Sequence, residues 1–180
     1  MRFKIKKGQK LFRPLIRIPK TTKNLTGFEL SFKIERGAWA SLEEWKGDKD
    51  WYDWMKLGGF TSFFSKNNSD SCLIGFRYGQ EPETYEVTGY TNYPNTKFLF
   101  GVKPNEIAAV EAGKWYSVRV KIKGGKAMYT LPNGAKVEFP FKVRGLMRSV
   151  APYPGGSNNS EGEFGGIAFK NIKLNIIIKK

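Results

Sequence analysis

The sequence predicts an all-β protein built as a two-sheet antiparallel sandwich, and three observations lead to this fold class. Apolar and polar residues alternate through most of the chain, with the two-residue period of strands that bury one face. Turn-forming residues separate these runs at short intervals, as in Lys66 to Asp70 and Lys123 to Lys126. Few stretches carry a helical period. At 180 residues the chain is expected to form one domain spanning residues 1–180.

Each strand is predicted from its own alternation. The clearest is Phe28 to Ile34, where four large apolar residues share one face and polar residues occupy the other. The remaining strands are predicted at Lys10 to Ile18, Leu57 to Phe64, Ile74 to Tyr78, Thr84 to Tyr90, Phe98 to Val102, Tyr116 to Ile122, Lys126 to Leu131 and Ala135 to Phe139.

The last apolar segment and two irregular segments depart from simple alternation. Ile167 and Phe169 alternate in one phase and residues 172–178 in the other, so a β-bulge is expected near Lys170 and Asn171. Ser41 to Met55 predicts a short helix or a long loop, and Asn105 to Glu111 predicts one helical turn. The fold is therefore expected to contain one or two short helices.

Composition excludes several kinds of chemistry. The chain has no histidine, which removes the commonest general base, the commonest metal ligand and every nucleophile scheme that needs an imidazole. A single cysteine, Cys72, excludes an internal disulfide framework and is expected to be buried. Lys and Arg number 31 against 16 Asp and Glu, giving a net charge of +15 that attracts anionic partners. Many of these lysines alternate with apolar residues, which also fits solvated strand faces.

The first residues alternate charged and apolar side chains and do not build the apolar stretch of an export signal. The longest strongly apolar run is Ile176 to Ile178, far below the roughly 20 residues needed to cross a bilayer. We therefore expect a protein made in the cytoplasm and not inserted into a membrane.

The second half of the chain resembles a known superfamily. Ala112 to Lys121 (AGKWYSVRVK) is similar to the G-x-W-h-x-V-x-V strand of the concanavalin A-like, laminin G-like jelly-roll proteins. A Gly-Gly turn, a strand from Ala127 to Leu131 and an Asn133-Gly134 hairpin follow, as in that superfamily. Gly165 to Leu174 looks like its final strand. The resemblance implies a jelly-roll sandwich in which the N-terminal strand lies near Ile172 to Ile178.

The superfamily has hosted lectins, carbohydrate-binding modules, glycosidases and structural modules, so the resemblance does not select one function. Four of the five tryptophans fall within 16 residues, beside several carboxylates. Aromatic rings with acidic neighbours suit sugar binding, and the same residues suit a subunit interface. The candidate ligand- or partner-binding residues are Trp39, Trp45, Asp50, Trp51, Tyr52, Asp53 and Trp54.

Calcium and catalysis are the alternatives at acidic sites. Many lectins of this superfamily carry Ca²⁺, and the carboxylates of that loop with Asn67, Asn68 and Asp70 could ligate it, although no ordered calcium loop is present. Glu81, Glu83 and Glu86 have spacing similar to the catalytic strand of laminarinase-like glycoside hydrolases. By that resemblance Glu81 would be the nucleophile and Glu86 the acid/base, but the middle Asp is missing and Pro82 interrupts the strand.

A basic segment precedes the last strand. Lys142, Arg144, Arg148 and Tyr153 are expected to form a contact loop for a neighbouring subunit or an anion. Nucleic acid ranks behind protein and glycan as a partner, since basic residues interleaved with aromatics appear only diffusely, as in residues 4–13.

These observations together predict a binding or structural module that is not an enzyme and needs no cofactor. A lectin-like domain made without an export signal, with a large positive charge, fits a virion component of a tailed phage, such as a capsid decoration or appendage protein. The expected partners are other subunits of such an assembly or a glycan.

Overall fold

The computed structural model describes residues 2–3, 20–36, 54–65, 70–92, 104–152 and 172–179. These residues form twelve strands, one 3-10 turn at Pro104–Glu106 and no α-helix. The strands are β1 (Arg2–Phe3), β2 (Thr21–Thr22), β3 (Gly27–Ile34), β4 (Met55–Ser62), β5 (Ser71–Tyr78), β6 (Thr84–Asn92), β7 (Ala108–Glu111), β8 (Tyr116–Lys123), β9 (Lys126–Thr130), β10 (Lys136–Pro140), β11 (Met147–Val150) and β12 (Ile172–Lys179).

Two antiparallel six-stranded sheets result, which confirms the predicted jelly-roll sandwich. The first sheet has the order β1-β12-β3-β8-β9-β10, and the second has the order β2-β11-β4-β5-β6-β7. Strands distant in sequence lie side by side, as in β12 against β3. The N-terminal strand pairs with the last one, Phe3 lying opposite Ile172, as expected.

The hydrophobic core lies between the sheets. Phe28 of β3 meets Phe60 of β4 with ring centroids 5.1 Å apart. Tyr129 of β9 crosses to the second sheet, where its hydroxyl lies 3.0 Å from the Cys72 sulfur. A Cβ on Gly89 would come within 2.6 Å of the Tyr129 ring, so only glycine lets the two sheets approach here.

Some predicted boundaries were wrong. The strand expected from Leu57 to Phe64 ends at Ser62, because the Ser65 amide donates to the Ser62 carbonyl and closes a turn that holds Phe63 and Phe64. The helical turn expected at Asn105 to Glu111 is limited to Pro104–Glu106. Ala108–Glu111 is a strand instead, because its alternate residues are buried and it pairs with β6.

Other predictions lie outside the described residues. They are the strands at Lys10 to Ile18 and Phe98 to Val102, the bulge near Lys170 and Asn171, and all of Ser41 to Met55 except Trp54 and Met55. In the described part of the chain, no helix has the length and hydropathy that crossing a membrane requires.

Candidate functional site

The candidate site lies on the outer face of the second sheet, the side turned away from the first sheet. Alternation sends Phe76 and Tyr85 into the core and therefore places Arg77 and Glu86 on this outer side. Antiparallel register sets these two residues directly opposite each other on β5 and β6. Gly75, two residues earlier, lies between Lys56 of β4 and Thr88 of β6.

Arg77 is fixed from two directions. Its Nε donates to the Glu86 Oε2 at 2.6 Å, and its guanidinium lies 4.5 Å from the centroid of the Trp54 ring. About a quarter of each side chain of the ion pair is exposed, 27% for Arg77 and 21% for Glu86. Among the described residues Arg77 makes no other hydrogen bond, so its terminal N–H groups keep donors for a ligand.

Trp54 supports Arg77 and is itself almost covered. The indole is 9% exposed and packs against Gly75, where an added Cβ would lie 3.2 Å from the Trp54 Cβ. A side chain at position 75 would therefore force the indole to shift by a few tenths of an ångström. Cation–π attraction strengthens as water is excluded, so the buried Trp54 ring stabilises the position of the guanidinium.

A second cation lies on the same face. Lys56 is 4% exposed, and its Nζ lies 4.6 Å from the centroid of the Tyr90 ring. A buried ammonium needs compensation for its lost hydration, and the aromatic face supplies part of it. Thr88 is fully buried nearby and donates its hydroxyl hydrogen to the Glu106 carbonyl at 2.8 Å. Aromatic, cationic and hydroxyl groups are thus interleaved on three neighbouring strands.

The core side holds the same strands in place. The Tyr129 hydroxyl donates to the Tyr90 carbonyl at 3.0 Å. Burial raises the pKa of the neighbouring Cys72 thiol to about 12, although its hydrogen bond with Tyr129 opposes the rise. Cys72 is therefore a neutral, structural residue and not a nucleophile.

The predicted catalytic carboxylates do not share a strand. β6 begins at Thr84, so Glu81 and Pro82 lie in the preceding turn, where the Glu81 carbonyl accepts the Thr84 amide. Glu83 takes a positive φ of 57° in this turn. Glu86 alone projects from β6, and its partner is the Arg77 guanidinium.

The predicted basic contact loop lies at one end of the second sheet. Lys142 and Arg144 are exposed, and Arg148 on β11 has its Nε 3.4 Å from the Phe63 carbonyl oxygen. The turn beside it carries Phe64, which is 86% exposed, and Phe63, which is 39% exposed. Tyr153 lies outside the described residues.

Most of the predicted tryptophan site also lies outside the described residues, namely Trp39, Trp45, Asp50, Trp51, Tyr52 and Asp53. Trp54 is described, and its ring supports the Arg77 guanidinium.

The predicted calcium site is described only at Asp70. Burial raises the pKa of its carboxyl, and the charge of Arg144 opposes that rise. The described part of the chain contains no group of three or more acidic, cysteine or histidine residues that could hold a metal. Asn67 and Asn68 lie outside that part, so the calcium hypothesis stays a prediction.

Sequence reasoning did not select Lys56, Arg77 or Tyr90. The run Ile74 to Tyr78 had already indicated that Arg77 faces away from the core, since Phe76 and Tyr78 alternate with it. The pairing of Arg77 with Glu86 depends on strand register, and register depends on the turn between residues 79 and 83. The alternation was therefore sufficient to find the face but not the partners.

Comparisons with known proteins concern the fold. No family model matches the sequence, and no curated protein matches it. A double mutant of Congerin II is similar over 90% of this chain and 100% of its own, at 10% identity and a TM-score of 0.41. The alginate lyase AlgAT5 of polysaccharide lyase family 7 is similar over 89% of this chain and 63% of its own, at 16% identity and a TM-score of 0.45. Chicken Galectin 2 is similar over 86% of this chain and 97% of its own, at 12% identity and a TM-score of 0.38.

Proposed function

We propose that this chain is a non-catalytic carbohydrate-binding module that holds a saccharide against the Arg77–Glu86 pair. The observation that carries the proposal is the position of Arg77, a partly exposed guanidinium fixed by an indole on one side and a carboxylate on the other. Such prior fixation lowers the entropy cost of binding, because the donors already have one orientation.

The pair offers both hydrogen-bonding roles that a sugar needs. Each sugar hydroxyl donates and accepts, and the guanidinium donates while the carboxylate accepts. Both groups are charged, which makes their hydrogen bonds stronger than those between neutral groups. Two neighbouring sugar hydroxyls would therefore be held by one residue pair.

The site is open toward one edge of the sheet. β7 is the last strand of the second sheet, and the residue opposite Glu86 is Ala109, which is exposed and small. Ala109 leaves room for a ligand beside Glu86, and the next outward residue of β7, Glu111, lies opposite Thr84 and is ion-paired with Lys114. We therefore place the bound saccharide over β5, β6 and β7, at the end nearer Thr84.

The positions of Glu81 and Glu86 do not favour catalysis. Retaining glycosidases need two carboxyl groups about 5 to 5.5 Å apart. Glu86 is paired with a guanidinium, and Glu81 belongs to the turn before the strand. The hydrolase alternative therefore requires another carboxylate to approach Glu86.

The experiment is a glycan array that includes neutral and uronic-acid oligosaccharides, followed by calorimetry on the strongest ligand. Arg77→Gln should weaken binding by more than tenfold, while Arg119→Gln, which removes an arginine from the same kind of cross-strand pair on the first sheet, should change it less than twofold. Equal losses in the two variants, or no ligand on the array, would count against the proposal. Sugar products that disappear in Glu86→Gln would favour the hydrolase.

A role in assembly is the second candidate, and exposed aromatic residues favour it. Phe64 and Phe63 project from the turn after β4, with their ring centroids 5.3 Å apart, beside Arg148. Aromatic and arginine side chains dominate the energy of protein interfaces. We propose this turn, with the basic contact loop, as the surface that joins the module to another subunit, such as a capsid or appendage protein of a virion.

Two measurements test the assembly role. Mass spectrometry of purified particles from the source should find the chain in stoichiometric amounts if it is a virion component. Phe64→Ser should then abolish its incorporation, while Trp115→Ser, at another exposed aromatic residue, should not. Incorporation of the Phe64 variant at the normal level would exclude this turn as the joining surface.

A further inference from the structure

The outer face of the first sheet is far more positive than the outer face of the second. Alternation along β3, β8, β9 and β10 places six cations but only two carboxylates on the side that faces away from the core. We call this surface the basic face. It consists of Glu29, Lys33, Arg119, Lys121, Lys123, Lys126, Lys136 and Glu138.

A row of cations runs along β8 and turns onto β9. Arg119, Lys121 and Lys123 are all exposed and follow one another at every second residue, which separates them by about 6.8 Å along the strand. Lys126 lies directly opposite Lys123 in the register of β8 with β9. Like charges in directly opposed positions destabilise a sheet, and a bound anion would remove that repulsion.

Carboxylates neutralise only the ends of this row. Arg119 is paired with Glu29 at 3.0 Å, and Lys126 is paired with Glu138 at 3.1 Å. Within the described part of the chain, Lys121 and Lys123 have no ion pair. The middle of the row is therefore the most strongly positive part of the basic face.

The groups around the row determine what kind of anion fits. The other outward residues on these strands include Ser117, Met128 and Thr130, and no described residue of the basic face carries an aromatic ring. Trp115, an exposed ring just before β8, lies beyond Arg119 at one end of the row. No described ring on this face lies between Arg119 and Lys126, so the row itself offers no surface on which sugar rings or unpaired bases could stack. Lysine acts as a point charge without the directed fork of arginine, so this surface selects a partner by its charge density.

We infer that the basic face binds the phosphate backbone of double-stranded nucleic acid without reading its sequence. A duplex carries one negative charge per about 1.7 Å of its length, and phosphates on one strand repeat every 3.4 Å along the axis. Cations about 6.8 Å apart therefore place several positive charges within reach of the phosphates along one stretch of duplex. The row occupies two neighbouring strands, and the flanking strands add no net charge on this face, because Glu29 is accompanied by Lys33 on β3 and Glu138 by Lys136 on β10. Such a narrow strip of charge fits a chain-like polyanion better than a planar membrane. The inference is independent of the saccharide site on the other sheet.

Fluorescence anisotropy with a labelled 20-base-pair duplex of random sequence tests this inference. If the four cations of the row each contact a phosphate, affinity should fall about 150-fold between 50 and 200 mM NaCl. The double variant Lys121→Gln/Lys123→Gln keeps two contacts, and its affinity should fall only about 12-fold over the same range. Lys114→Gln is the matched control, because Lys114 is an exposed lysine in the turn before β8, and it should behave as the wild type.

Three outcomes would overturn the inference. One is wild-type salt dependence in the double variant. Another is a salt dependence in the Lys114 variant that is reduced as much as in the double variant. The third is preference for another polyanion, shown by tighter binding at equal salt to heparin or to vesicles containing 30% phosphatidylserine. Circular dichroism of each variant verifies folding, and full saccharide binding by the double variant would separate this result from any failure of the Arg77 site.

Discussion

The outer faces of the two sheets carry the same cross-strand ion pair in opposite surroundings. On the second sheet Arg77 pairs with Glu86 beside a nearly buried indole, and the arginine side chain is 27% exposed. On the first sheet Arg119 pairs with Glu29 among lysines, and the arginine side chain is 69% exposed. In both pairs an arginine Nε contacts a glutamate Oε2 across antiparallel strands. The local geometry is shared, so any difference in behaviour comes from burial and neighbours.

The difference in burial and in neighbouring charges suits the two faces to different ligands. A charged group that is partly desolvated and supported by a ring has one fixed position, which suits the recognition of a ligand with defined hydroxyl groups. A charged group in water, among other cations, contributes a long-range field and little geometry. The second sheet is therefore suited to specific binding of a small ligand, and the first to nonspecific attraction of a polyanion.

The largest expected contrast comes from the two described tryptophans. Trp54→Ala removes a buried ring and should lower the free energy of unfolding by about 3 to 5 kcal/mol. Trp115→Ala removes a ring that is 55% exposed and should lower it by no more than about 1 kcal/mol. Urea denaturation followed by circular dichroism measures both. Similar losses in the two variants would show that Trp54 does not support its face.

Two threonines give the next contrast. Thr88→Val on the second sheet removes the hydroxyl that donates to the Glu106 carbonyl, and should cost about 1 to 2 kcal/mol of unfolding free energy. Thr130→Val on the first sheet changes an exposed position and should stay within about 0.5 kcal/mol of the wild type. The same denaturation assay applies. A Thr88 variant as stable as the wild type would contradict the hydrogen bond.

Double-mutant cycles compare the two ion pairs directly. The coupling between Arg77 and Glu86 should be about 1 kcal/mol or more, since the pair is largely covered. The coupling between Arg119 and Glu29 should be about 0.3 kcal/mol and should vanish in 1 M NaCl. Each cycle uses glutamine substitutions at both positions. Equal coupling energies would mean that burial does not distinguish the two faces.

The smallest effect concerns Asp70, at the start of β5 on the second sheet. Burial raises the pKa of this carboxyl above its ordinary 3.8, and its Oδ1 has no hydrogen-bond partner among the described residues. The protonated form is therefore favoured in the folded protein, so the contribution of Asp70 to stability is fully present below pH 3.8 and is lost as pH rises through the raised pKa. Asp70→Asn should lack this loss, so the variant should gain stability relative to the wild type as pH rises from 3.8 toward 7. Parallel pH profiles of the unfolding free energy for the variant and the wild type would contradict this prediction.

The sequence was sufficient to predict the strands whose alternation is clear, and with them the two-sheet fold. Gly27–Ile34 and Tyr116–Lys123 were found because large apolar residues occupy every second position. Met147–Val150 was missed because its four residues are too few to show alternation, and three of them are buried, so the strand has no regular exposed face. Ala108–Glu111 was taken for a helical turn because alanine and glutamate favour helices in isolation, whereas pairing with β6 decides the outcome.

Less of the candidate site could be predicted. Trp54 and Glu86 were both selected, but for separate sites, since nothing in their sequence positions shows that they meet on Arg77. Contacts across strands depend on register, which turn geometry and core packing set together. Phe64 was placed in a strand, and its exposure follows from the position of one turn. The residues that carry function are thus those whose neighbours come from elsewhere in the chain.

The central claim is that a saccharide binds the Arg77–Glu86 pair that Trp54 supports, and the most direct test is the indole N–H signal of Trp54. In ¹H–¹⁵N spectra the Trp54 and Trp115 signals are assigned by Trp54→Phe and Trp115→Phe substitutions, and the best oligosaccharide from the glycan array is titrated in. We predict a saturable shift of the Trp54 signal, a stationary Trp115 signal, and loss of the shift in Arg77→Gln. A stationary Trp54 signal at saturating sugar would contradict the account.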